Sequence, residues 1–248
     1  VDWLSSMVHG DFGISILTRE PVAPLILRRL PVTLELTAVS MIIAIMMAVP
    51  LGVISALKRG TKVDLASQLT AFFGLSMPQF WLALILLLIF GLWLRIFPVA
   101  GYVSIFKNPV EGFMHIALPA ISLGVPSAGI QMMMMRSSML EVMMQDYVTA
   151  ARARGLKERT VIYRHALKNA LIPVVTVVGV QLSALFGGAI VIEIIFGLQG
   201  MGRLLYLAVY SRDYTVIAGC SVTLVIFVIL TNLLVDILYS YLDPRIRY

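Results

Sequence analysis

The chain has 248 residues, is 60% hydrophobic and only 13% charged, and has a mean hydropathy of +0.95. A soluble domain of this size needs more charged surface than that, so the composition points to a membrane protein. Its net charge of +6 is carried by Lys and Arg between apolar stretches with no aromatic interleaving, which fits membrane topology rather than nucleic-acid binding. The single cysteine, Cys220, lies inside an apolar run, which excludes a disulfide framework or a thiolate metal site.

The chain opens on Val1, with Asp2 and Asp11 and no short apolar core leading to a cleavage site, so it reads as a truncated N-terminus rather than a signal peptide. Residues 1–32 read as an external segment leading into the first span, and 33–248 as one transmembrane domain. Five charge-free runs are long enough to cross a bilayer: Leu36–Leu57, Leu65–Leu94, Gly112–Met135, Asn169–Ile192 and Tyr214–Val235. The second, at 30 residues, is too long for one straight span. Pro78 removes a helix hydrogen bond near its middle, so a shallow entry helix, a kink and a span from about Gln79 are expected.

With five spans, the loops on one side hold twelve Lys/Arg and those on the other hold seven. The richer side is expected to be cytoplasmic, which puts Val1 outside and Tyr248 inside, again as if a first span were missing. Small residues recur every fourth position in three spans: Ala44, Ala48, Gly52 and Ala56; Ala120, Gly124 and Ala128; Gly179, Ser183 and Gly187. Such rows let helix backbones approach in lipid and favour a compact bundle. Within the spans the polar residues are Gln79, Gln131, Gln181, Asn232 and Asp236, the last expected near the cytoplasmic end, and no acid–base chain of the kind a proton-driven pump uses runs through them. Gln131, Gln181 and Ser183 are candidates for lining a translocation path, although packing hydrogen bonds between helices explain the glutamines equally well. Met132–Met135 point to different faces of a helix and read as packing rather than a metal path.

The chain's one long charged island is Asp146–Pro173, inside a loop taken as 139–170. It carries six Lys/Arg against Asp146 and Glu158. From about Met139, apolar residues at Leu140, Met143, Met144, Tyr147, Val148 and Ala151 follow helical spacing, and Gly155 supplies a stop. A second helix is expected from Lys157 to about Asn169. Asp146, Thr149, Ala150 and Ala153 form a narrow face of small side chains. On pattern alone the island is either an interfacial helix held by anionic headgroups or a helix docking into a groove on a soluble partner.

Motifs for zinc hydrolysis, a serine nucleophile elbow or nucleotide phosphate binding are missing. His9, His115 and His165 are too far apart to form a site by local spacing. An energy-using protein built this way must borrow its energy from elsewhere.

Several stretches carry a family resemblance, in order and over essentially the whole chain: GDFGISILTREPV with RRLPVTLEL, SMPQFWLALIL, DYVTAARARGLKERTVIYRHALKNALIPVVTVVGVQL, GGAIVIEIIFGLQGMGRLL, RDYTV and NLLVDILYSYLDPRIRY. Together they resemble the membrane subunit of bacterial ABC importers, in the dipeptide/oligopeptide/nickel permease family. The resemblance implies an all-α polytopic helix bundle in the bacterial inner membrane, with a cytoplasmic C-terminus and one more span than this chain carries. It implies a non-enzymatic subunit forming half the path of an ATP-driven importer for di- or oligopeptides, with nickel or glutathione as alternative cargo. The rival class is an ion-gradient-driven secondary transporter or channel. Implied partners are a homologous second permease subunit, two cytoplasmic ABC ATPase subunits, which would bind ATP and Mg, and an external solute-binding protein. No cofactor is expected on this chain. In such a family the island's first helix is a coupling helix. Asp146, Ala150, Ala151 and Gly155 match its motif, and with Tyr147, Thr149, Arg152, Ala153, Arg154, Leu156 and Arg159 they would form the ATPase contact. Thr149 stands where the motif's name has Glu, and Lys168 and Thr215 stand where many relatives have Pro.

Overall fold

In lipid every backbone polar group must be satisfied within the segment, so the long apolar runs have one option, the helix. The computed structural model describes residues 10–242, and the expectations at His9 and at the C-terminal residues beyond 242 lie outside them, as does the side chain of Asp236. In chain order the helices are α1 Val22–Leu57, α2 Lys62–Ser76, α3 Gln79–Trp93, α4 Pro109–Met143, α5 Asp146–Ala153, α6 Glu158–Ile195, α7 Met201–Tyr210 and α8 Tyr214–Leu242. Among the described residues the strand-like pairing is a single antiparallel bridge between Ile14 and Pro21.

Helices α1, α4, α6 and α8 are each long and apolar enough to cross a membrane, and the α2–α3 pair passes the same test taken together, bent by 99° at its break as a broken span or a re-entrant loop is. That bend falls at Met77 and Pro78, where the 30-residue run was expected to kink. Thr61 caps α2, its hydroxyl accepting from the Asp64 amide at 3.5 Å. The 36 residues of α1 reach about 54 Å at 1.5 Å per residue, well beyond a hydrocarbon core of about 30 Å, so helical structure continues past the apolar run.

Two expectations about the island are corrected. The helix starting near Met139 is not continuous through Gly155: α4 ends at Met143, Met144 and Gln145 break it, and α5 begins at Asp146. The second helix does not stop at Asn169. It runs from Glu158 through a π-helical stretch, Val161–Ala166, straight into the span. Pro173 lies inside this helix, near the start of its apolar run.

The chain divides into two compact units, with α1, α4, α6 and α8 contributing residues to both. The first holds the described residues through Ser40 with Gln79–Leu123 and Ser183–Leu230. Its apolar centre joins Val22 and Ile26 of α1, Met201 and Ala208 of α7, and Val216 and Cys220 of α8. Three carboxylates fasten its loops. Buried Glu193 accepts from the Thr33 hydroxyl and from the Arg203 amide, and Thr33 in turn accepts from the Met201 amide at 2.8 Å. Glu35 accepts from the Tyr102 hydroxyl at 2.6 Å, Ser104 Oγ at 3.0 Å and the Ile105 amide at 2.7 Å. Burial, aided by that bond to Glu35, pushes the Tyr102 phenol up to about 12, so it stays a donor. Asp213 accepts from the Ser15 hydroxyl and the Leu17 and Val216 amides.

The second unit holds Met41–Pro78, Gly124–Leu182 and the described residues from Thr231. Its centre joins Val53 and Ala56 of α1, Met135 and Met139 of α4, and Ala166, Ala170 and Val174 of α6. The first small-residue row is buried throughout, and a Cβ at Gly52 would stand 2.7 Å from Met135 Cβ and 2.9 Å from the Met132 carbonyl oxygen. The α1 and α4 backbones meet there because Gly52 has no side chain. The second row is also buried. The third breaks down, because Gly179 packs on Val235 whereas Gly187 is exposed with open space around it. Met132 and Met135 are buried while Met133 is exposed, as opposite helix faces require. Asp64 gathers the turn after α1, accepting from Ser55 Oγ at 2.6 Å, the Gly60 amide at 3.0 Å and Arg136 Nε and Nη2 at 2.8 and 2.9 Å.

Candidate functional site

Helix α5 is short because both its ends are specified locally. Asp146 lies in the first turn and Arg152 in the last, each favourable to the helix dipole, and the Val148 amide bonds the Gln145 carbonyl at 3.1 Å. At the other end Gly155 takes φ +75° and its amide returns to the Arg152 carbonyl at 2.9 Å. A side chain there would have open space, so the backbone conformation alone selects glycine.

One stripe of α5 faces inward. Val148 and Ala151 are buried against Val161 of α6, with Val142 and Met143 of α4 closing the cluster. Three polar contacts pin the outer parts. Tyr147 Oη accepts from Asn169 Nδ2 at 2.7 Å, Arg152 grips Glu158 through Nη2 at 2.7 Å and Nε at 3.2 Å, and the Arg159 guanidinium lies 6.0 Å from the centre of the Tyr163 ring. The hydrogen bond to Glu158 holds the Arg152 guanidinium charged by raising its pKa further.

The structure therefore brings the predicted contact residues into one patch. Asp146, Tyr147, Thr149, Ala150, Arg152, Ala153, Arg154, Gly155, Leu156 and Arg159 are all exposed. Ala151 is the exception: its side chain is spent on the internal cluster, so it seats the helix and offers almost no surface to a partner. The outward face is narrow and low in relief at Thr149, Ala150 and Ala153, and Tyr147 and Leu156, each 41% exposed, stand beside it. The arrangement leaves a low outward face on a helix that is itself packed on α4 and α6.

The path candidates are placed differently. Gln131 and Gln181 are buried and bonded to each other, Gln131 Nε2 donating to Gln181 Oε1 at 2.9 Å. That is an interhelical tie between α4 and α6. Ser183 is half-buried on α6. Gln79 lies against Gly188.

Sequence reasoning missed the buried acids. Glu35, Asp64, Glu193 and Asp213 each directly adjoin one end of a charge-free run, and Arg136 adjoins another. In the sequence they do no more than bound the charge-free runs. The available signal was their position beside turn-forming stretches such as Lys58–Thr61 and GLQGMGR.

Residues 48–248 match the family described as binding-protein-dependent transport system inner membrane component. The chain belongs to that family. It is a permease subunit of an ABC importer and a multi-pass membrane protein, and permease subunits of this family are not themselves enzymes. An ion-gradient-driven transporter or channel is thereby set aside. Among relatives, the oligopeptide transport system permease protein AppB of Bacillus subtilis is 41% identical over 249 residues, covering 99% of this chain and 79% of that protein. The dipeptide transport system permease protein DppB of Escherichia coli is 41% identical over 269 residues with the same coverage. A putative peptide transport system permease protein of Brucella abortus is 42% identical over 246 residues, covering 99% and 78%. In fold, this family member is similar to a chain of the MetNI methionine ABC transporter, solved in inward-facing conformations, with TM-score 0.72 at 20% identity over 88% of this chain and 96% of that one. It is also similar to a chain of an amino acid ABC transporter, with TM-score 0.60 at 14% identity over 99% of both.

Proposed function

We propose that this subunit forms half of the translocation pathway of an ATP-driven importer of di- and oligopeptides, in the bacterial cytoplasmic membrane with its C-terminus inside. The other half is a homologous permease subunit, an external solute-binding protein delivers the peptide, and two cytoplasmic ATPase subunits bind ATP and magnesium. Helix α5 is the part that receives the ATPase movement. The observation that carries this role is its construction: Val148 and Ala151 are locked onto Val161, Val142 and Met143, while Thr149, Ala150 and Ala153 are left outward. A helix seated on two long membrane helices passes a displacement on to them as a rigid body. Peptide cargo is favoured over nickel or glutathione by the names of the relatives, which are those of oligopeptide and dipeptide permeases.

The test is uptake by the assembled importer in proteoliposomes. Labelled dialanine should enter only with ATP on the ATPase side and with the binding protein present, and nickel or glutathione should not compete. Uptake driven by an ion gradient without ATP would overturn the importer reading, and uptake of nickel or glutathione in place of peptide would overturn the cargo.

A further inference from the structure

Two loops of the first unit are tied to the same few turns of α1. Glu35 fastens Tyr102, Ser104 and Ile105, and Thr33 with Glu193 fastens Met201 and Arg203. A third tie lies one turn earlier, where Arg29 donates to the side-chain and main-chain oxygens of Gln199, the latter at 3.3 Å. Between these fastened walls lies a cavity of about 620 Å³, bordered by Glu20, Arg28, Arg29, Tyr102 and Gln199 among others. Binding sites for small molecules commonly measure about 300–1,000 Å³.

Two of the charges around it, Arg28 and Glu20, are not used up by the fold, while Arg29 is shared with Gln199. Arg28 and Glu20 are exposed, and neither has an ion-pair partner among the described residues. A guanidinium presents parallel N–H donors that fit a carboxylate in a two-point bond, and a carboxylate accepts from an ammonium group. Two cations and one anion around one small cavity suit a molecule carrying a carboxylate and an ammonium a few bonds apart. An apolar solute would gain nothing from them, and an inorganic cation would be repelled by the pair of arginines.

We propose that this cavity is an entry subsite on the permease itself for short zwitterionic peptides, with Arg28 and Arg29 taking the C-terminal carboxylate and Glu20 the N-terminal ammonium. This rests on the peptide reading and on this face being external. Arg29 is partly committed to Gln199, so Arg28 is the residue to test.

The experiment uses the assembled permease–ATPase complex without binding protein. Weak binding of dialanine, its C-terminal amide and its N-acetyl form is followed by saturation-transfer NMR. Dialanine should bind, and the amide should bind about tenfold more weakly through loss of a charge-assisted bond. Arg28→Gln should weaken dialanine to the level of the amide, with Arg28→Lys recovering part of the loss, and Glu20→Gln should abolish discrimination against the N-acetyl form. Equal binding of dialanine to Arg28→Gln and unaltered complexes, or no binding to the unaltered complex, overturns the subsite. If the complete importer still takes up dialanine, the peptide reading stands without it. If no peptide is taken up, both fall. A third result also overturns it: Arg28→Gln weakening stimulation of the ATPases by the binding protein while leaving dialanine binding intact. The arginines would then serve carboxylates of a docked protein.

Discussion

Gln131 on α4 donates its side-chain amide to Gln181 on α6 across 2.9 Å, and both side chains are buried. Gln131 Oε1 and Gln181 Nε2 have no hydrogen-bond partner among the described residues, so this bond is the main tie holding the pair. Replacing Gln131 by Leu strands the Gln181 amide and should cost about 1–3 kcal/mol, whereas replacing both by Leu should recover much of that loss. Thermal unfolding of the purified subunit in detergent checks the order of stabilities. Retained ATP-driven uptake in the double variant is the expected outcome for a packing pair, and its loss would return both residues to the pathway.

Gly155 holds φ +75° with open space where a side chain would go. Gly155→Ala should therefore cost only the left-handed backbone penalty, about 1 kcal/mol, with normal expression. Gly155→Asp adds a charge beside the exposed face and should reduce co-purification of the ATPase subunits more than Gly155→Ala does. Equal co-purification and uptake in the two variants would argue that the α5 patch meets lipid headgroups instead of a protein.

Gly52 is where α1 and α4 come closest, with Met135 Cβ 2.7 Å from the position a Cβ would take. Gly52→Val forces those backbones apart and should destabilise the fold by about 1–3 kcal/mol. At Gly187, with nothing within 4 Å, Gly187→Ala should be tolerated. Denaturation in mild detergent compares the two directly.

Burial alone would raise the Asp213 carboxyl, but hydrogen bonds from the Ser15 hydroxyl and the Val216, Leu17 and Ile16 amides outweigh it and hold it below the usual carboxylate range. A depressed folded-state pKa means its contribution is fully present above the unfolded value of about 4 and is lost as pH falls through the folded value. Acidification should therefore release the 10–21 segment, seen as faster cleavage there by an acid-active protease. In Asp213→Asn the same segment should be cut faster by trypsin at Arg19 already at neutral pH.

Much of the fold was legible because lipid leaves the chain few choices. A run of more than twenty apolar residues has to be a helix, and Pro78 in the 30-residue run has to bend it. The outward residues of α5 were legible too, since Asp146, Thr149, Ala150 and Ala153 share one helical face and Gly155 follows them. The inward role of Ala151 was not, because it depends on Val161, which arrives only after the turn. The break at Met144–Gln145 was hidden because the apolar spacing continues across it, while the backbone at Gln145 turns to an extended conformation with ψ 148°.

By itself the sequence determined which segments are long and apolar enough to cross, where the bend falls and that one charged island interrupts the apolar runs, all consequences of local hydropathy and backbone chemistry. Only the tertiary structure decided which charges are buried. Thr33 meets Glu193 across 160 residues and Glu35 meets Ile105 across 70, so the acids that look like span boundaries in one dimension become the fastenings of loops in three. A carboxylate is stable there because several donors converge on it, and convergence is a property of the folded chain.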